Sequence, residues 1–142
     1  MKNILIVAVT FFTAANCSAQ KVQEKDLPAE VKNNFHKTYA SVKEVKWDKE
    51  KSDYEASFDL NGVDHSVLYD AKGQVLETEV EIKTSELPRR ATEYLATNYK
   101  GKKISEAAKI TDAKGVVSYE AEIKGMDILF DAQDAFIKVV KD

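Results

Sequence analysis

The chain has 142 residues, with 21 basic and 24 acidic side chains and a formal net charge of −3. An acidic balance argues against a nucleic-acid-binding surface, which needs an excess of lysine and arginine. Cys17 is the only cysteine, which excludes an intramolecular disulfide and a zinc site built from several cysteines.

The first nineteen residues have the order of a secretory signal peptide. Lys2 precedes an apolar run, residues 4–15, and small residues follow up to Ala19. The run is shorter than the roughly 20 residues that a membrane-spanning helix needs. We therefore predict cleavage after Ala19, a periplasmic or secreted location and no membrane insertion of the mature chain. Lipid attachment at Cys17 is the alternative, which residues 14–16 disfavour because they lack the usual leucine.

The next part of the chain predicts a helix and a strand. Proline suits the first helical position, so the helix is predicted to begin at Pro28. Apolar residues then recur every four positions, at Val31, Phe35 and Tyr39, which gives the helix one apolar face. Residues 42–47 predict a short strand, followed by a charged loop.

A β-hairpin is predicted over residues 54–69, with Asn61-Gly62 as its two-residue turn. Asparagine and glycine adopt the positive φ angles that such a turn requires. Alternation then places the apolar side chains of both strands, such as Phe58, on one face. A second turn, in which Gly73 can take a left-handed conformation, leads to a strand over residues 74–82.

The order of elements then starts again, which indicates a tandem duplication. Leu87-Pro88 repeats Leu27-Pro28 sixty residues later, and the apolar helical positions repeat with it. Lys124-Gly125 replaces Asn61-Gly62 in a second hairpin that is two residues shorter in each strand. We predict an α+β fold in which each repeat packs one helix on a four-stranded antiparallel sheet. The predicted repeats span residues 20–83 and 84–142.

Two further expectations follow from aligning the repeats. The alignment matches Ile110 with Trp47 and predicts that both face the helix as core residues. The longer first hairpin places Asn61 and Gly62 on an edge that projects two residues further, roughly 7 Å.

This arrangement resembles the PepSY-like family of secreted bacterial proteins, which is described as β-lactamase-inhibitor-like. Leu27-Pro28, Leu87-Pro88 and the turn over residues 69–75 carry the resemblance, which spans residues 27–141. It implies two helix-plus-four-strand repeats side by side, whose open faces form a shallow concave surface. In the inhibitor that gives the family its description, this surface binds an enzyme. The equivalent face here has fewer aromatic residues.

Catalytic and metal-binding patterns are weak in the sequence. His36 and His65 accompany no nucleophile motif. Asp64 and His65 are neighbours in a strand and point to opposite faces, so they do not easily share a metal ion. Residues 77–81 form an acidic row without the spacing of a calcium loop, and we interpret it as a solvated sheet face. We therefore predict no catalytic residue, no metal site and no cofactor. The same face is predicted to carry Glu55, Asp59, Glu120 and Glu122.

A set of five apolar residues, here called the apolar strip, is predicted to lie on this face, away from the helices. A contiguous exposed strip would mark a binding surface for a protein partner or a second copy of the chain. Scattered exposed side chains, or cover by the segment around Val22, are the alternatives. The apolar strip consists of Leu68, Val75, Leu129, Phe136 and Val140.

The sequence thus predicts a non-catalytic exported protein that binds an envelope protein through the open faces of its sheets. The partner is expected to be a protein that binding could inhibit, such as an envelope enzyme. Asn61 and Gly62 are predicted to lie at the edge of the binding surface. A small-ligand or cation-binding periplasmic module that uses the acidic row is the alternative function.

Overall fold

The computed structural model describes residues 19–141, which contain two α-helices and nine β-strands. They divide into two compact units between Thr78 and Glu79, within the fifth strand. Each unit has one α-helix and antiparallel strands, which confirms the predicted α+β class. The predicted signal peptide, apart from Ala19, lies outside the described residues.

The elements are β1 (Gln20–Val22), α1 (Ala29–Thr38), β2 (Lys46–Glu50), β3 (Asp53–Leu60), β4 (Val63–Tyr69), β5 (Val75–Glu81), α2 (Arg89–Asn98), β6 (Glu106–Asp112), β7 (Val117–Glu122), β8 (Met126–Phe130) and β9 (Phe136–Lys141), with short 3-10 turns at Glu24–Asp26 and Thr84–Glu86.

Both helices begin directly after a proline, so α1 begins one residue later than the predicted start at Pro28. Pro28 and Pro88 are the N-cap residues, and their extended backbone leads into the first turn of each helix. The apolar positions face inward, because Val31 and Phe35 of α1 are fully buried. Burying this apolar face against the sheet stabilises each ten-residue helix, which is too short to be stable alone.

The core of unit 1 is aromatic and the core of unit 2 is largely aliphatic. In unit 1 the ring of Phe35 lies 5.2 Å from both the Trp47 ring and the Phe58 ring, in edge-to-face contacts. In unit 2 the buried side chains opposite α2 include Ile123 and Ile128.

The predicted hairpin registers are confirmed. Asn61 and Gly62 have φ angles of 57° and 80°, and Phe58 lies opposite His65. In unit 2 Ala121 lies opposite Ile128. The paired strands have 8 and 7 residues in unit 1 but 6 and 5 in unit 2, so the hairpin is two residues shorter in each strand.

The match between Ile110 and Trp47 is wrong. Trp47 pairs with the helix-facing Ala56, and the equivalent Ala121 of unit 2 pairs with Ala107. Ala107 is therefore the counterpart of Trp47, and it lies in the core of unit 2. Alternation along β6 then places Ile110 on the face away from α2.

The strand β2 lies further along the chain than predicted. It begins at Lys46, where residue 42 was expected, and it extends to Glu50, pairing with β3 over positions that were predicted to form a charged loop. Asp48 consequently lies directly opposite Glu55.

Candidate functional site: the open faces of the sheets

We define the open face of each unit as the face of its sheet opposite the helix. In unit 1 the neighbours Val67 and Tyr69 pack in the core, so alternation places Ser66 and Leu68 on the open face. Glu55, Ser66 and Leu68 are only 3%, 5% and 4% exposed. The centre of this face is therefore buried and is not the solvated surface that the sequence predicts.

A polar contact crosses the centre of the open face of unit 1. Glu55 lies opposite Leu68 and Ser66 lies opposite Ser57, so Glu55 and Ser66 are diagonal neighbours on β3 and β4. Ser66 Oγ donates a hydrogen bond to Glu55 Oε1. This bond partly offsets the cost of burying the carboxyl group.

The pKa of the Glu55 carboxyl group is strongly raised. The pKa of Glu55 is raised to about 7, chiefly by burial and in smaller part by repulsion from the nearby Glu50, Asp48 and Glu77. The hydrogen bond from Ser66 acts in the opposite direction. The carboxylates of this face are thus close enough to disfavour one another's charge.

Acidic residues lie directly opposite each other at two places on this face. Asp48 lies opposite Glu55, and nearer the hairpin end Asp59 lies opposite Asp64. Like charges directly opposite one another in an antiparallel pair destabilise the sheet. Asp59 Oδ1 also accepts a hydrogen bond of 2.9 Å from the backbone N–H of Gly62, which ties the turn to this face.

The open face of unit 2 repeats the same pattern with different residues. Glu120 lies opposite Leu129, and Asp127 lies opposite Glu122, so Glu120 and Asp127 occupy the diagonal that Glu55 and Ser66 occupy in unit 1. Both carboxyl side chains are buried. The other buried side chains of this face are Ala108, Ile110 and Leu129.

The predicted exposure of Leu68 and Leu129 is wrong, because they are 4% and 1% exposed. Leu129 lies between Glu120 on β7 and Lys138 on β9. The methylene groups of a lysine can cover an apolar neighbour while the ammonium group stays in water. Leu68 lies opposite Glu55 on β3, which is itself buried.

The predicted position of Phe136 is also wrong. A β-bulge between Leu129 and Phe130 shifts the pairing, so that Phe136 lies opposite the core residue Phe130 while Lys138 lies opposite Leu129. One extra residue in β9 reverses the alternation before the bulge. Phe136 therefore lies on the helix side, where its ring stacks on Tyr94 of α2 at 4.7 Å and 9°.

The remaining members of the apolar strip are more accessible. Val75 is 40% exposed at the start of β5, and Val140 is half-buried opposite Asp127 on the open face of unit 2. Leu129, Phe136 and Val140 therefore do not form one exposed strip in unit 2.

The carboxylates Asp48 and Glu50 are members of the acidic face that the sequence analysis missed. The alternation of Trp47 and Lys49 with Asp48 and Glu50 was the available signal, since a period of two indicates a strand.

The histidines have structural contacts. His36 Nε2 lies 2.6 Å from Glu24 Oε1 on the surface, and the His65 ring stacks on Phe58 at 5.5 Å. Across residues 19–141, no group of three or more histidine, cysteine, aspartate and glutamate side chains is arranged to hold a metal ion.

None of the helices in the described part of the chain is both long enough and apolar enough to span a membrane.

The fold defines a class of α+β proteins in which a helix-on-sheet unit is repeated. The chain belongs to the PepSY-like family, which is described as "Putative beta-lactamase-inhibitor-like, PepSY-like" and which matches residues 12–77 and 60–138. Two overlapping matches agree with the duplication inferred from the sequence. No curated protein matches the sequence.

Several solved structures share this fold. A DUF2874 family protein from Bacteroides uniformis is 24% identical with a TM-score of 0.66, covering 80% of this chain and 88% of its own. A protein described as periplasmic ("putative periplasmic proteins") from Bacteroides eggerthii is 17% identical with a TM-score of 0.68 and the same coverage of 80% and 88%. A BLIP-like protein from Bacteroides fragilis is 18% identical with a TM-score of 0.62, covering 82% of this chain and 88% of its own. At these identities the likeness establishes the fold.

Proposed function

We propose that this protein is an exported, non-catalytic protein that binds a basic surface of another protein through the open faces of its sheets. The observation that carries the proposal is the direct opposition of carboxylates on the open face of unit 1, Asp48 against Glu55 and Asp59 against Asp64. The family description, with its reference to an enzyme inhibitor, makes an envelope enzyme the first kind of partner to test.

The open face of unit 1 is poorly arranged for the stability of the fold, but it is suited to binding a basic partner. Each opposed acidic pair destabilises the sheet, by a fraction of a kcal/mol to about 1 kcal/mol. Glu55 adds the cost of a buried carboxylate, which its raised pKa reflects. A lysine or arginine of a partner would relieve the repulsion between these carboxylates. The free energy that the repulsion costs the folded protein would then contribute to binding.

The family description, which refers to an inhibitor, supports the non-catalytic part of the proposal. His36 contacts a surface glutamate, and His65 Nδ1 lies 2.9 Å from the backbone oxygen of Val63. One histidine thus contacts a surface carboxylate and the other contacts the backbone.

A double variant, Asp48→Lys with Asp64→Lys, tests the proposal. Each substitution places a lysine opposite a carboxylate, at Glu55 and at Asp59, so the folded protein should become more stable. Binding of a basic partner should nevertheless be lost. A protein that folds better but binds worse cannot be explained by unfolding.

The matched control is Glu30→Lys with Glu44→Lys, which makes the same change in net charge at exposed positions outside the open face. Immobilised wild-type protein should capture a basic protein from periplasmic extract, in a salt-sensitive manner. The control should retain the capture and the test variant should lose it. Equal capture by both variants would reject the acidic face as the binding site.

A second measurement addresses the alternative function, a cation-binding module. Calcium at about 100 times its dissociation constant would stabilise the fold by about 2.7 kcal/mol. A calcium-dependent rise in Tm that the Asp48→Lys, Asp64→Lys variant lacks would favour the cation-binding function over protein binding.

A further inference from the structure

We propose that the outer edge of β9 pairs with β9 of a second copy of this chain, in antiparallel orientation about a two-fold axis through Val139. The proposal concerns an edge of unit 2 and is independent of the acidic open face. It rests on the hydrogen-bonding edge, on the exposed apolar side chains next to it and on the sequence of the strand.

The edge of β9 is available for pairing within the described residues. β9 pairs with β8 on one side, and no described strand borders it on the other. The strands β2 and β6 each have a neighbouring segment on the side away from the hairpin. Val22 of β1 lies opposite Trp47 of β2, and the backbone N–H of Ile82 donates a hydrogen bond of 2.9 Å to the oxygen of Ala107 in β6.

Length distinguishes this edge from the outer edge of β1. β1 has 3 residues, whereas β9 has 6 and so offers an edge about twice as long. An unpaired strand edge of this length is a template for another strand, which natural proteins usually cover or protect.

Exposed apolar side chains concentrate at this strand. Four large hydrophobic side chains are exposed in the described part of the chain, and two of them, Phe136 and Val139, belong to β9. Val139 lies opposite the core residue Ile128, so it is on the helix side like Phe136. The Tyr94 ring stacked on Phe136 extends this apolar surface toward α2.

The sequence of β9 permits an antiparallel pair centred on Val139. In an antiparallel pair centred there, Val139 meets Val139 of the second copy and Lys138 meets Val140 of the second copy. A pair centred on Lys138 would instead place two lysines directly opposite each other, which is unfavourable. Lys138 thus disfavours that register, and a pair centred on Val139 covers the more exposed of the two neighbouring valines. The β-bulge lies before Lys138, so the part of β9 that follows it pairs regularly with β8.

A second copy fits this edge better than an unrelated strand. The apolar side chain at the centre meets an identical apolar side chain, and the two-fold axis closes the assembly at two copies. Pairing would bury Val139 of both copies and extend the antiparallel sheet with main-chain hydrogen bonds.

Sedimentation equilibrium of the purified exported protein tests the proposal. Wild-type protein should form dimers, and Val139→Lys should weaken dimerisation about tenfold or more, since it places like charges at the axis. Val116→Lys is the matched control, because Val116 is an exposed valine, 50% accessible, that lies outside β9. It should dimerise as the wild type does.

Mixing two variants supplies the decisive measurement. Val139→Lys and Val139→Glu should each be weak dimers alone, whereas an equimolar mixture should dimerise at least as well as wild type, because opposite charges then meet at the axis. Circular dichroism establishes that both variants are folded. A monomeric wild type, a Val139→Lys variant that dimerises normally, or a mixture that stays monomeric would each overturn the proposal.

Discussion

Ser66 donates a hydrogen bond to the buried carboxyl group of Glu55 across β4 and β3. The bond favours the charged carboxylate and lowers its pKa, but burial prevails and raises the pKa from 4.5 to about 7. The folded state therefore holds a proton that the unfolded state releases. The stability that this proton contributes is complete below about pH 4.5 and is lost as the pH rises through about 7.

Glu55→Gln should remove this pH dependence. The shift from 4.5 to about 7 corresponds to roughly 3 kcal/mol of unfolding free energy, as an upper limit. Wild-type protein should lose up to that amount between about pH 5 and about pH 8, and the neutral amide should lose much less. Urea unfolding at the two pH values measures the difference. Asp64→Asn, also on the open face, should keep most of the wild-type loss, and an unchanged pH dependence in Glu55→Gln would contradict the assignment.

Gly73→Ala should destabilise the protein far more than Gly62→Ala. Both glycines have positive φ angles, 76° and 80°, so an alanine is strained at either site. A Cβ atom at Gly73 would also lie 2.6 Å from the backbone oxygen of Glu30 in α1, whereas one at Gly62 would meet nothing within 4 Å.

The turn at Gly73 is held against α1, because Asn34 Nδ2 donates a hydrogen bond of 2.5 Å to the Gly73 oxygen. Neither backbone segment can move away cheaply. We expect Gly62→Ala to cost about 1 kcal/mol and Gly73→Ala about 3 kcal/mol or more. Urea midpoints of the two variants measure the difference, and equal midpoints would show that the turn does not pack tightly on the helix.

Tyr69→Phe should not destabilise the protein. Tyr69 is fully buried in the core of unit 1, and its hydroxyl has no hydrogen-bond partner among the described residues. Burial accordingly raises the pKa of Tyr69. Unit 2 has Phe130 at the equivalent position, which shows that this site accepts the apolar ring.

Removing an unsatisfied buried hydroxyl should stabilise the fold by about 1 kcal/mol, although the lost ring substituent leaves a small void. The reverse substitution in unit 2, Phe130→Tyr, should be destabilising because it buries a new hydroxyl. Thermal unfolding of both variants distinguishes these effects. A large loss of Tm in Tyr69→Phe would mean that the hydroxyl has a partner, such as a buried water molecule.

Local periodicity was sufficient to predict most of the fold. A period of four placed Val31 and Phe35 on the buried face of α1, and Asn61-Gly62 fixed the register of the first hairpin. The shorter second hairpin kept its register because the difference is an even number of residues per strand. These features depend on residues close together in the sequence.

The open faces were predicted less well because their properties depend on neighbouring strands. Alternation alone cannot show that Leu129 is buried, nor that Glu55 is buried opposite Asp48. The β-bulge before Lys138 leaves no glycine or proline as a signal, so the face of Phe136 was assigned wrongly. A one-residue irregularity reverses every assignment on one side of it.

The contact between Tyr94 and Phe136 offers a direct test of that bulge. The two rings stack at 4.7 Å and 9°, which is possible because the bulge turns Phe136 toward α2. Stacked aromatic pairs contribute about 0.5–1.5 kcal/mol beyond the area that they bury. A double-mutant cycle with Tyr94→Ala and Phe136→Ala should therefore give a coupling free energy in that range.

Val140→Ala provides the control for this cycle. Val140 follows the bulge on the open face, opposite Asp127, so Tyr94→Ala and Val140→Ala should be additive within about 0.5 kcal/mol. Urea unfolding of the single and double variants supplies all of the required free energies. Zero coupling between Tyr94 and Phe136 would mean that β9 is regular in solution and that Phe136 points away from the helix, as uninterrupted alternation requires.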